Sequence, residues 1–180
     1  MSFRNQHPLQ RIEETANPGQ LLTITDSSPM HKVGALYYNP DDDKTYIYAY
    51  NATGADAVQY SLEILENVYS AATPRVNWQA IGVSDSDGDM AYVCAPAAAI
   101  PTLHYGWWQV QGDVAAAAGL VSETRTAGEE LIVTDTTYIA ATAGTNGCED
   151  AAFAIVNATT TAAATTANIY LLGREFPTGT

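Results

Sequence analysis

The chain has 180 residues, with 20 Asp and Glu against 7 Lys and Arg, a formal charge of -13, and 47% apolar but only 15% charged residues. That length suits one domain with an arm, and the negative charge repels phosphate backbones and anionic membranes, so neither nucleic acid nor a membrane is an expected partner. No apolar run approaches a membrane span, and the opening MSFRNQHPLQRIEETANPGQ lacks the apolar core of an export signal, so synthesis in the cytoplasm is expected.

Residues 1–20 place Arg4 and Arg11 among Asn and Gln, with Pro8 and Pro18-Gly19 interrupting any regular element, which predicts an extended arm. From Leu21, LLTITD alternates as a strand does. Val33 to Tyr38 and Thr45 to Tyr50 are rich in tyrosine and β-branched residues, and Asn39-Pro40-Asp41-Asp42-Asp43 between them has turn composition; together they predict a β-hairpin. DAVQYSLEILENVYSA sets Val58, Leu62, Leu65 and Tyr69 on one helical face with Asp56 as N-cap, which predicts a helix. Tyr60, Leu62 and Ile64 also alternate, so a strand pair is the competing assignment, and Pro74 closes the segment under either.

Beyond it come NWQAIGVS, the turn DSDGD, MAYVCAP and HYGWWQVQG, each short and bounded by Gly, Pro or Asp, the punctuation of a sandwich or barrel. In the last third, alanine competes with recurring Thr, Val and Ile, and Gly119, Gly128, Gly144 and Gly147 cut the stretch before a helix gains length, so it reads as β. Ala152 to Asn157 and Asn168 to Leu172 form the expected final strand pair, with Gly173-Arg174 ending the sheet. The expected fold is mainly β: an antiparallel β-sandwich or β-barrel-like domain over 21–180, with the arm at 1–20, at most one short helix, and 21–75 as a candidate additional layer or projection.

The chemistry-bearing residues favour no catalyst. Asp85, Asp87 and Asp89 alternate as in a calcium loop, but the position that needs a bidentate glutamate is Pro96 and no helices flank it, so a strand-to-strand turn is the better reading. Asp41, Asp42 and Asp43 read as a solvated hairpin tip. Glu63/Glu66 and Glu129/Glu130 serve acid–base chemistry only if they face each other across a cleft. His7, His31 and His104 are scattered among turn residues, and no nucleophile elbow, zinc motif or phosphate loop is present. Cys94 and Cys148 lie far apart without metal-ligand spacing, and the sequence leaves their pairing open. Asn51-Ala-Thr and Asn157-Ala-Thr match a glycosylation pattern that reads as chance without an export signal. No catalytic residue, cofactor or metal is expected.

In YGWWQVQGD, strand alternation puts Trp108 and Val110 on one face and Trp107, Gln109 and Gln111 on the other. Trp108 is expected in the core, and Trp107 over a sheet face or at a subunit contact. The stretch AIGVSDSDGDMAYVCAPAAAIPTLHYGWWQVQGDVAAAAG, followed by AGEELIV, an AATAG turn and AFAIVNATTTAAATTANIYLLGREF, resembles the small β-rich decoration, or cement, proteins of tailed-bacteriophage heads over residues 79 to 176. That resemblance implies a structural virion protein on the outer capsid surface, often a homotrimer, clamping neighbouring major capsid protein subunits together and carrying no catalytic residues. The longer amino-terminal half departs from the smaller members. Attachment by strand addition assigns Phe3, Arg4, Arg11 and Ile12 of the arm, with Trp107, to the interface. The competing reading is a receptor- or glycan-binding domain of a tail fibre or adhesin, with Trp107, Tyr105 and the hairpin tyrosines as an aromatic platform.

Overall fold

The computed structural model describes residues 22–69, 76–81, 90–120, 124–134, 137–141, 152–161, 164–174 and 176–177. They form β1 (Leu36–Asn39), β2 (Lys44–Asn51), β3 (Glu63–Tyr69), β4 (Val76–Ile81), β5 (Met90–Pro96), β6 (Tyr105–Ala118), β7 (Glu130–Thr134), β8 (Thr137–Ala141), β9 (Ala152–Val156), β10 (Thr166–Leu172) and β11 (Phe176–Pro177). No helix occurs among the described residues, so none there is long and apolar enough to cross a membrane.

Strands β2, β4, β3, β5 and β6 pair in that order, and β6 pairs back onto β2 to close a five-stranded barrel. Closure satisfies the backbone groups that an open sheet would leave at its edges. One junction departs from the expected antiparallel pattern: β2 and β4 run parallel at Tyr50–Gln79 and Asn51–Ala80. β1 lies beside the first half of β2 as an edge strand. The second half of β6 continues into an outer sheet in the order β6, β10, β9, β7, β8, and β11 adds a two-residue pairing to β5. The bend between the two parts of β6 falls at Gly112, whose φ of +99° L side chains rarely adopt; a Cβ there would stand 2.8 Å from the Asp43 carbonyl oxygen.

The helix expected over DAVQYSLEILENVYSA is not formed. Tyr60 has φ +68°, Ser61 bridges to Ala118, and β3 begins at Glu63 between β4 and β5. The apparent helical stripe arose because β3 is buried on both faces: Leu62 and Ile64 enter one core and Leu65 another, so apolar residues fall three apart without helical geometry. Val58, assigned to the helix's apolar face, is 66% exposed. Asp56 accepts the Thr102 N–H at 2.8 Å instead of capping a helix. Within 21–75, β2 and β3 are staves of the barrel.

Three apolar clusters hold the fold. The barrel interior takes side chains from all five staves, among them Ile47, Leu65, Ala80, Cys94 and Trp108. The outer sheet lays Val114, Leu131, Phe153, Ile169 and Leu171 against Ile64, Ile81 and Val93 on the barrel's outside. A third, aromatic cluster lies on the outward face of β1, β2 and β6. β2 shows how one strand serves two clusters, with Ile47 and Ala49 pointing in and Tyr46 and Tyr48 pointing out.

Candidate functional site

The outward aromatic face is the richest side-chain constellation among the described residues. Tyr48 and Trp107 lie opposite each other across β2 and β6, with ring centroids 5.2 Å apart, and Tyr37 of β1 meets Trp107 at 5.9 Å and Tyr46 at 6.1 Å. Tyr105 extends the row between Tyr48 and Tyr50. Offset and edge-on pairs at these spacings contribute beyond the area they bury. The four central rings are all but sealed, at 4% exposure or less.

A strap, residues 22–35, lies over Tyr48 and Trp107. Asp26 forms an antiparallel bridge with Tyr105, the Met30 N–H donates to the Tyr48 hydroxyl at 3.1 Å, and Gly34 and Ala35 exchange backbone bonds with Tyr48. The His31 ring stands edge-on to Tyr48 at 5.0 Å and 5.4 Å from Trp107, and its burial there lowers its pKa. The Trp107 Nε1–H is buried with no hydrogen-bond acceptor, whereas the Trp108 Nε1–H donates to the Ala49 carbonyl at 3.3 Å.

At the barrel's end, the alternation that points Leu65 inward puts Glu63 on the same face, opposite Cys94 in register. Burial pushes the Glu63 carboxyl up to about 7, partly opposed by a hydrogen bond from Ser61. The same dry surroundings push the Cys94 thiol well above its ordinary range, which keeps it protonated and unreactive. Cys94 is a free thiol, its Sγ–H donating to the Glu63 carbonyl at 3.5 Å; Cys148 lies outside the described residues. Nearby, the Asn51 Nδ2 donates to the carbonyls of Ala55 and Ile100 at 2.9 and 2.8 Å, and its Oδ1 accepts the Thr53 N–H at 3.1 Å. Asn51 is thus a fully buried clamp, which removes its side chain from any glycosylation. Asn157 is exposed and donates to Asp113 Oδ1 at 2.6 Å.

Of the residues assigned to an interface from sequence, Phe3, Arg4, Arg11 and Ile12 lie outside the described residues, and Trp107 is 1% exposed beneath the chain's own strap. Asp41 to Asp43 form the hairpin tip, where Asp42 pairs with Lys44 at 3.3 Å and Asp43 accepts the Tyr38 hydroxyl at 2.8 Å. Asp85, Asp87 and Asp89 fall outside the described residues, and among those described no group of three His, Cys, Asp or Glu is arranged to hold a metal. His104 Nδ1 lies 2.9 Å from the Thr102 carbonyl at the start of β6, a local strand-end contact. The alternation from Leu21 points to a strand where the structure keeps a single bridge, at Asp26, and nothing in the composition of residues 27–35 betrays that they lie over Tyr48 and Trp107. Glu63 was singled out only as half of a glutamate pair, whereas the structure gives it a partner in Ser61. No family model matches the chain, and no curated protein matches it in sequence.

Proposed function

We propose that this chain is a structural virion protein that binds the outer surface of a phage capsid and stabilises contacts between major capsid subunits, as a homo-oligomer and without catalysis. The observation that carries this reading is the place of the Gly-Trp strand. β6, the centre of the resemblance to head-decoration proteins, is the architectural spine that closes the barrel and founds the outer sheet. Its tryptophans serve the fold, as they would in a module whose task is to be a rigid body on a shell. The exposed edge strand β1, with Leu36 and Tyr38 about half exposed beside the acidic tip, offers a backbone rim for strand addition.

The glycan-binding alternative has one observation in its favour: the rings it invoked do gather on one face. The strap lies over Tyr48 and Trp107 at the centre of that face, which closes the middle of the platform, and the half-exposed Tyr38 lies off it. Purified protein incubated with heads of the encoding virus should co-sediment to a saturating, symmetric occupancy, and protein lacking residues 1–20 should remain folded and unbound. No co-sedimentation of the full chain, together with glycan-array binding that Trp107→Phe abolishes, would replace the capsid reading by the glycan one.

A further inference from the structure

Three stretches without a charged residue, 22–25, 57–60 and 97–100, converge on one edge of β6 in a chain of net charge -13. Asp26 exchanges both backbone bonds with Tyr105, and the Ala97 N–H donates to the Trp107 carbonyl at 3.0 Å, so the two sit side by side along that edge. The Gln59 side chain donates to the Ala97 carbonyl at 2.9 Å and the Tyr60 N–H to the Pro96 carbonyl at 3.4 Å, which brings 58–60 alongside, and Ala57 and Ile100 exchange both of their backbone bonds. What these stretches turn to water is apolar: Val58 is 66% exposed, Ile24 44% and Tyr60 36%, and Ala99 is exposed beside them. Apolar side chains grouped at the surface mark a contact with another macromolecule, where scattered ones do not. Asp26 and Asp56 flank the group.

Tyr60 adds an independent sign. It is third in the turn Val58–Ser61, closed by the Ser61 N–H on the Val58 carbonyl at 2.9 Å, and its φ of +68° is the left-handed conformation that glycine favours at that place. Burial does not account for so bulky a residue there, and backbone strain of this kind collects where a ligand or partner is held. We infer that this patch is the surface through which the body of the protein docks on the major capsid protein, against an apolar surface edged by basic side chains that meet Asp26 and Asp56. The inference rests on the capsid reading. The occupant is the shell because the residues assigned there to attachment precede Leu22, which joins the described body within the patch, and this puts the end of the tether, and with it the shell, on this side of the body. Tyr60 is the anchor: a tyrosine loses little freedom on contact, and the bonded turn fixes its direction beforehand. Arm and patch then engage one shell together.

The test is co-sedimentation of the full chain with heads of the encoding virus over a range of protein concentrations, beside urea unfolding of each variant. Val58→Asp and Ile24→Asp should each raise the apparent Kd about tenfold, as loss of a central contact does. Ala127→Asp, which adds the same charge at an exposed residue just before β7, three strands from β6, should bind as the parent does. Tyr60→Gly should weaken binding about fivefold without lowering the urea midpoint, because glycine adopts a positive φ freely. A purely structural Tyr60 predicts the reverse, a lower midpoint with unchanged binding. Parent-level binding by Val58→Asp and Tyr60→Gly overturns the docking surface and leaves the capsid reading standing, whereas a parent chain that does not sediment with heads overturns both. Should a patch variant fold poorly, Val58→p-benzoylphenylalanine decides: on illuminated heads it should become joined to the major capsid protein, and a chain that is bound but leaves that protein unlinked overturns the proposal.

Discussion

Trp107 and Trp108 are neighbours in sequence on opposite faces of β6, and both are withdrawn from water, one beneath the strap and one inside the barrel. Trp108→Ala should lower unfolding free energy by about 3–5 kcal/mol, as large-to-small changes in a dry core do. Trp107→Ala should cost about as much in the isolated chain, contrary to the smaller loss expected for an interface ring, and urea titration of both variants measures it. Asn51→Ala removes the amide's bonds to the Ala55 and Ile100 carbonyls, each of which keeps a second donor, and leaves the Thr53 N–H without its acceptor, so it should cost about 1–2 kcal/mol on the same assay. Glu63 supplies a pH signature. Below its ordinary 4.5 the carboxyl is protonated folded or unfolded; between 4.5 and about 7 the unfolded chain ionises while the native one keeps its proton, so stability falls as pH rises and the loss is complete above 7. Glu63→Gln should therefore stabilise the protein by about 1–2 kcal/mol at pH 8, allowing for the water that reaches the carboxyl. At pH 4 it should do almost nothing, and equal urea midpoints for variant and parent at pH 8 would contradict the assignment.

Among the elements, the strap responds to pH with the opposite sign. His31 is a base whose pKa burial lowers, so its contribution to the closed strap is present above the ordinary histidine value of 6.5 and is lost as pH falls through it. Acidification to pH 5 should speed amide exchange across residues 26–34 while the β5 and β6 amides stay protected, and His31→Gln should flatten that dependence. Legibility also varied by element. The β1–β2 hairpin, β5, β9 and β10 could be read because each has a clear turn boundary or apolar run. β3 misled because two buried faces counterfeit a helical stripe. Barrel closure left no local trace: it depends on β2 meeting β6 across a separation such as the 66 residues between Thr45 and Gln111, and on the parallel β2–β4 junction. The candidate site was half legible, since tyrosine alternation brought the rings to one face but nothing in 22–35 announced that they would be covered.

For the whole molecule, a charge of -13 with only 7 basic residues makes the proposed binding to a shell salt-dependent if it runs through basic patches on the shell: occupancy should then fall as ionic strength rises, checked by sedimentation at low and high salt. An unchanged occupancy would point to backbone strand addition as the dominant attachment. Finally, β6 belongs at once to the barrel and to the outer sheet, and this bears on how the chain folds. Neither layer can be completed until β6 is placed, and its partners lie far before it in β2 and far after it in β10. Such dependence on distant pairing makes folding slow, on the millisecond-to-second scale of non-local β proteins, and makes the two layers one cooperative unit. Calorimetry should show a single transition whose van't Hoff and calorimetric enthalpies agree; during synthesis the barrel cannot close until β6, its last stave, has left the ribosome.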